Sequence, residues 1–119
     1  MTGKQWLKTC QGGGRMPPIS EAMFLMKIKA VANMYGWTLH HQQPTMTAAG
    51  RWITAGSAGF PDVLLVHPRR GLIFAELKTD KGRATEAQLL WLDTLKNYAE
   101  TYLWRPKDFD AIVRRLQND

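Results

Sequence analysis

Two carboxylates and an amine stand out in the stretch from Gly59 to Lys78. Asp62 leads into an apolar run at 63–66, and Glu76 and Lys78 lie at the end of a second run at 72–77. The runs read as two strands joined by a Pro/Gly turn. Both are nearly all apolar, which predicts burial on both faces. Charges are almost never fully buried unless they are paired or bind a metal. Glu76 and Lys78 leave the same side of a strand, with Leu77 pointing the other way. One acid from each strand with an amine beside them is the set that a divalent-cation hydrolase of phosphodiesters needs. The carboxylates hold a hard cation through oxygen, and such a cation activates water and neutralises charge on the phosphate. The lysine can orient the water or stabilise the developing anion.

This chemistry constrains the hairpin. A four-residue turn over 68–71 places His67 opposite Leu72 and Val63 opposite Glu76, so that Asp62 and Glu76 emerge on opposite sides of the sheet. A five-residue loop over 67–71 places Val66 opposite Leu72 and Asp62 across from Glu76, with Cβ atoms about 4.5–5.5 Å apart. A bulge near Pro61 achieves the same correction. The metal reading requires the odd loop or the bulge.

The surrounding elements follow from periodicity and caps. Ser20 as N-cap and Gly36 just past the end predict a helix over 21–35. At about 100° per residue, Phe24, Leu25, Ile28, Ala32 and Tyr35 share one stripe, and Glu21 lies at its centre. A carboxylate on the core side is misplaced unless something there needs it; otherwise Glu21 is an N-terminal acid favoured by the helix dipole. The other side of this helix carries Met23, Met26, Ala30 and Met34, so a further layer or a partner subunit is expected to cover it. A first strand is predicted over 37–41. His40 and His41 face opposite ways on it and cannot easily share an ion; a histidine on phosphate and a strand-end histidine without a catalytic role both remain open. The segment 42–59 reads as a long loop, expected to line the substrate side because it leads into Asp62.

After the hairpin, 79–84 is a basic turn holding Lys81 and Arg83. Thr85 through Gln88 form a capping box that opens a helix to about residue 98. Gln88 shares a stripe with Trp91, Leu92, Leu95 and Ala99, so it too is a polar group on the core side, although its capping position gives it a structural job. A fourth strand at 101–104 is stopped by Arg105-Pro106, and Asp108 is expected to cap a last amphipathic helix, with Arg114 and Arg115 on a solvated face or adding to the general basic field. The order α-β-β-β-α-β-α is that of one α/β domain, a mixed four-stranded sheet flanked by helices.

The whole chain agrees with this. Its 119 residues allow one domain with a real core. The net charge of +6 and pI near 9.8 favour an anionic partner, most simply nucleic acid. Cys10 is the only cysteine, which excludes an intrachain disulfide and points to a reducing compartment. No apolar run reaches transmembrane length, and no secretory signal is visible. Residues 1–18, with a triple glycine and Pro17-Pro18, read as a flexible leader before a domain over 19–119, although Trp6 and Leu7 could still dock.

Pro61-Asp62 followed by Glu76-Leu77-Lys78, within this element order, resembles the PD-(D/E)xK nuclease superfamily with its restriction-endonuclease-like core. Within it, the chain resembles the VRR-NUC family, especially its small stand-alone members encoded by phages. The resemblance rests on Gly59-Phe60-Pro61-Asp62, Glu76-Leu77-Lys78, Gly82-Arg83-x-Thr85-x-x-Gln88 and Trp104-Arg105-Pro106, and it covers roughly residues 20 to 116. It implies that Asp62, Glu76 and the backbone carbonyl of Leu77 bind Mg²⁺ or Mn²⁺, that Lys78 is catalytic, and that Glu21 and Gln88 complete the site. It further implies a homodimeric, structure-directed endonuclease of branched or Holliday-junction-like DNA, acting in the cytoplasm of a bacterial host cell. No base-reading helix or zinc finger is visible, so contact with backbone and shape is expected, through Arg51, Ser57, Lys81, Arg83 and Arg105. The alternatives are a non-catalytic nucleic-acid-binding module on the same fold and an assembly protein with a coincidental motif. Against the first, clustered carboxylates without a metal repel phosphate. The second leaves Glu21, Asp62, Glu76, Lys78 and Gln88 without a reason.

Overall fold

The structure, a computed structural model, describes residues 18–42, 44–54 and 56–118. Apart from Pro18, the expected leader with Trp6 and Leu7 lies outside the described residues. Helix α1 spans Glu21–Met34. The Ser20 hydroxyl caps it by accepting from the Met23 N–H at 3.1 Å. Gly36, at φ 82°, turns the chain out of the helix and into the sheet. Strand β1 (Thr38–His41) is followed by two short strands, β2 (Pro44–Met46) and β3 (Trp52–Thr54), which pair only with each other. Then come β4 (Val63–His67), β5 (Gly71–Leu77), helix α2 (Glu86–Leu95), β6 (Glu100–Trp104), a 3₁₀ turn at Pro106–Asp108, and helix α3 (Phe109–Gln117).

The main sheet has the order β1-β4-β5-β6, antiparallel except for the parallel pair β5–β6 that α2 connects. This is the expected mixed four-stranded α/β sheet. The β2–β3 ribbon is an addition, because 42–59 was expected to be a loop. Strands of three residues are too short for an alternation to register.

One face of the sheet is the core. Val63, Leu65, Ile73, Ala75 and Leu77 project onto it and are buried under α1 and α3, against Phe24, Ile28, Val31, Ile112 and Leu116. Each of these side chains larger than Ala75 contributes about 1.5–3 kcal/mol on burial. The other face holds the alternate residues. Leu64 and Phe74 are half-buried there, but Val66 and Leu72 are 41% and 38% exposed. The apolar runs therefore overstate burial. Contacts of α2 with this face lie toward Phe74, Glu76 and Leu103, leaving the turn end of the hairpin open.

The turn between β4 and β5 sets the register. Pro68, Arg69 and Arg70 form it, with His67 opposite Gly71, Val66 opposite Leu72 and Val63 opposite Ala75. The His67 Nδ1 accepts from the N–H groups of Arg69 and Arg70 at 3.1 and 3.2 Å and holds the turn. An odd turn is the arrangement the metal reading requires, and the uninterrupted pairing of Val63 with Glu76 does not occur.

Two other expectations change. Asp108 makes no side-chain cap on α3; its carboxylate accepts from the Arg105 N–H at 2.9 Å and ties off the preceding turn. Arg114 is exposed, but Arg115 forms a two-pronged pair with Glu100 at 2.6 and 2.7 Å, over the Trp37 ring. Spacing on a helix cannot reveal an acid offered by a neighbouring strand.

Candidate active site

Asp62 stands one residue before β4, and continuing the ladder places it across from Glu76. Its Oδ2 accepts from the Leu77 N–H at 3.0 Å, and its backbone carbonyl accepts from the Gln42 N–H at 3.0 Å. The acid is thus tied to the strands on both sides of it. Glu76 is only 1% exposed and is the one buried charged residue among those described. Burial, with Asp62 as a hydrogen-bonding and like-charged neighbour, pushes its carboxyl up to about 8, against the pull of Lys78. The Lys78 ammonium is 3.9 Å from Glu76 Oε1. The same Oε1 accepts from Gln88 Nε2 at 2.8 Å. Glu76 Oε2 is buried and has no hydrogen-bond partner.

Gln88 has both of its expected jobs. Its Oε1 accepts from the Thr85 N–H at 2.8 Å while the Thr85 hydroxyl accepts from the Gln88 N–H at 3.2 Å, closing the capping box. That leaves Nε2 for Glu76. The N-terminus of α2 is in turn pressed against the loop that delivers Asp62. A Cβ on Gly59 would lie 2.6 Å from the Ala87 carbonyl carbon and 2.8 Å from the Gln88 nitrogen, and Gly59 has φ +82°. Glycine is required there on both counts. Phe60 packs edge-on against Trp91 of α2 and Phe74 of β5, and Trp91 Nε1 donates to the Ala58 carbonyl at 3.2 Å.

Beside the carboxylates lies a cleft of about 490 Å³, lined by His41, Gln42, Ser57, Phe60, Asp62 and Gln88 among others. Ser57, Arg51, Lys81 and Arg83 are exposed, and a Cβ on Gly82 would lie 3.5 Å from the Lys78 side chain. Two expected residues do not join the others. Glu21 is exposed in the first turn of α1 and makes no hydrogen bond or ion pair with Asp62 or Glu76. It precedes Phe24, the first buried residue of the helix, and stays in solvent. Arg105 spends its Nη1 on the carbonyls of Thr79 and Gly82, both at 2.6 Å, so it clamps the basic turn from within.

His41 was left undecided by the sequence. It lines the cleft, and its Nδ1 is buried without a hydrogen-bond partner. Burial holds it below its ordinary value, with Asp62 acting in the opposite direction. Only the β1–β4 pairing, which sets His41 opposite Val63, places it near Asp62, and that pairing spans a long connection no local pattern fixes.

A VRR-NUC domain model matches residues 29–103. The chain belongs to the VRR-NUC family. No curated protein and no solved structure matches it. The match takes in Asp62, Glu76, Lys78 and Gln88 and stops short of Glu21 and Arg105. This VRR-NUC domain is thus a nuclease-family domain with two carboxylates, an amine and an amide at one end of its sheet.

The donors fit a hard divalent cation by one specific observation, the buried and unsatisfied Oε2 of Glu76 beside a second carboxylate. Among the described residues no three His, Cys, Asp or Glu side chains converge on one point. Two carboxylates suffice for an ion of the Mg²⁺ type, which is usually held by one or two acids with substrate phosphates and water.

The raised Glu76 carboxyl has a measurable consequence. Its folded value of about 8 stands above its ordinary 4.5, so its stabilising share is present below about 4.5 and is lost as pH rises through about 8. In EDTA, the Tm of the wild type should fall between pH 5 and pH 9 more than that of Glu76→Gln, and a divalent cation should restore it at the alkaline end. Parallel Tm profiles for the two proteins would contradict this.

Proposed function

We propose that this protein is a divalent-cation-dependent DNA endonuclease, using Mg²⁺ or Mn²⁺ and directed by branched structure in its substrate. The observation that carries the reading is Asp62 standing across from a buried Glu76 whose Oε2, once ionised, has no donor among the described residues, beside Lys78. Buried beside a second acid, Glu76 is costly to keep charged unless a cation joins the pair, which is why its carboxyl is raised. A binding module without chemistry has no use for it, and two clustered acids repel phosphate.

A cation bound here would supply Lewis-acid stabilisation of the phosphate and a more acidic water. The protein supplies the geometry. Leu77 N–H fixes Asp62 through Oδ2, and Gln88 fixes Glu76 through Oε1, so neither acid has to be ordered when substrate arrives. In hydrolysis a water oxygen bonds to phosphorus, and the bond to one sugar oxygen breaks, that oxygen leaving as the alcohol. Lys78 is placed to orient the water or offset charge growing on the phosphate. The carbonyl of Leu77 is a further oxygen donor in this reading. Arg51, Ser57, Lys81 and Arg83 would meet the backbone on either side of the cut. His41 lines the cleft beside Asp62. Glu21 and Arg105 are left out, for the reasons given by their positions.

The decisive variants are Asp62→Ala and Glu76→Ala, each expected to abolish cleavage with the fold intact. Lys78→Ala should lose catalysis while retaining metal binding by calorimetry, since an ammonium is no metal ligand. Wild-type cutting in the alanine variants, with contaminating nuclease excluded, would defeat the assignment.

A homodimer belongs to the same proposal. Met23, Met26 and Met34 on α1 are 58%, 68% and 40% exposed, an apolar side that a two-fold partner would cover. Met26→Glu should convert a dimer to a monomer in sedimentation with metal binding unchanged. A wild-type protein that is monomeric at micromolar concentration would rule the dimer out.

A further inference from the structure

We propose that the β2–β3 ribbon is a base-stacking contact that recognises unpaired or unstacked bases at a branch in the DNA, with Trp52 and Met46 as the stacking pair. The proposal rests on the nuclease reading and supplies a physical basis for preference between DNA structures.

Among the described residues the ribbon is a separate two-stranded sheet, β2 pairing with β3 and with no strand of the main sheet. It rises from the rim of the cleft. Gln42 and Gly56, the described residues closest to its two ends, both line that cleft, and the Gln42 amide nitrogen lies 3.3 Å from where a Gly56 Cβ would be. The register sets Met46 directly opposite Trp52, so the two side chains share one face of the ribbon. They are 50% and 66% exposed, and Ile53 on the other face is 50% exposed. At about 3.3 Å per residue, the pair stands about 7 Å along the ribbon from its base at Pro44 and Thr54. That is about two nucleotides at about 3.4 Å of rise per base.

Charge selects the occupant. No acidic residue stands between Glu21 and Asp62, and the exposed Arg51 sits beside Trp52 at the tip. An apolar pair flanked by a cation and free of acids, joined to a phosphodiester cleft, suits a nucleic acid strand. Aromatic side chains stack on any exposed base, whereas an apolar wedge enters a closed duplex only at the cost of unstacking it. Continuous duplex offers only its closed stack, whereas a branch offers free base faces.

The test uses full-length protein in Ca²⁺, with a four-way junction carrying 2-aminopurine at the branch and a linear duplex of equal length. The wild type should bind the junction more tightly than the duplex and brighten the 2-aminopurine as the base unstacks. The double variant Trp52→Ala with Met46→Ala should lose about ten-fold in junction affinity, lose the fluorescence rise, and change duplex affinity less than two-fold. Trp52→Phe should recover most of the effect. Unchanged junction binding by the double variant, or an equal loss on both DNAs, would overturn the proposal. So would a wild-type dimer that the double variant dissociates with junction affinity intact, since the ribbon would then be a subunit contact. Cleavage in Mg²⁺ is scored separately: a wild type that binds as described but never cuts would overturn the nuclease reading and leave the ribbon standing.

Discussion

The odd register between β4 and β5 is the constraint on which the site depends. Three turn residues, held by the His67 ring, set Val63 against Ala75 and so bring Asp62 across from Glu76. One residue more or fewer in that turn would move one carboxylate to the far side of the sheet, into the core packed by α1 and α3. Those same strands bury Val63, Leu65, Ile73 and Ala75 on the opposite face, which makes a slip costly for the whole fold. Packing on one face therefore specifies the chemistry on the other.

Holding two acids together works against stability, and the neighbouring groups show how the fold manages it. Burial and the proximity of Asp62 favour a protonated Glu76, while Lys78 and the Gln88 amide favour its charged form. Oε1 is satisfied and Oε2 is not. An imbalance of this kind, a perturbed acid beside a second acid and a cleft, is what a cation-binding carboxylate requires. The elements around it are correspondingly rigid. Gly59 lets the loop before Asp62 lie against the first turn of α2, Phe60 wedges between Trp91 and Phe74, and Arg105 grips the turn after Lys78.

Much of this was legible in the sequence because it is local. Ser20, Gly36 and the Thr85–Gln88 box declare helix ends through backbone groups a few residues away. The hairpin register followed from requiring two acids on one face. The failures share a cause, since each depends on a partner far along the chain. Arg115 faces Glu100 and Arg105 faces the 79–82 turn, neither of which helical or strand spacing can reveal. Glu21 continues the apolar stripe of α1, but it precedes Phe24, the first residue of the helix to be buried, and stays in solvent. His41 reaches the site only through the pairing of β1 with β4. The ribbon escaped notice because its strands are shorter than any period that could announce them.

Anomalous scattering from crystals grown with Mn²⁺ tests the central claim most directly. The account requires a manganese peak at about 2.1 Å from Glu76 Oε2, with an Asp62 oxygen in the same coordination sphere. Saturating Mn²⁺ that leaves no peak between these carboxylates, or that binds only elsewhere on the domain, would contradict it.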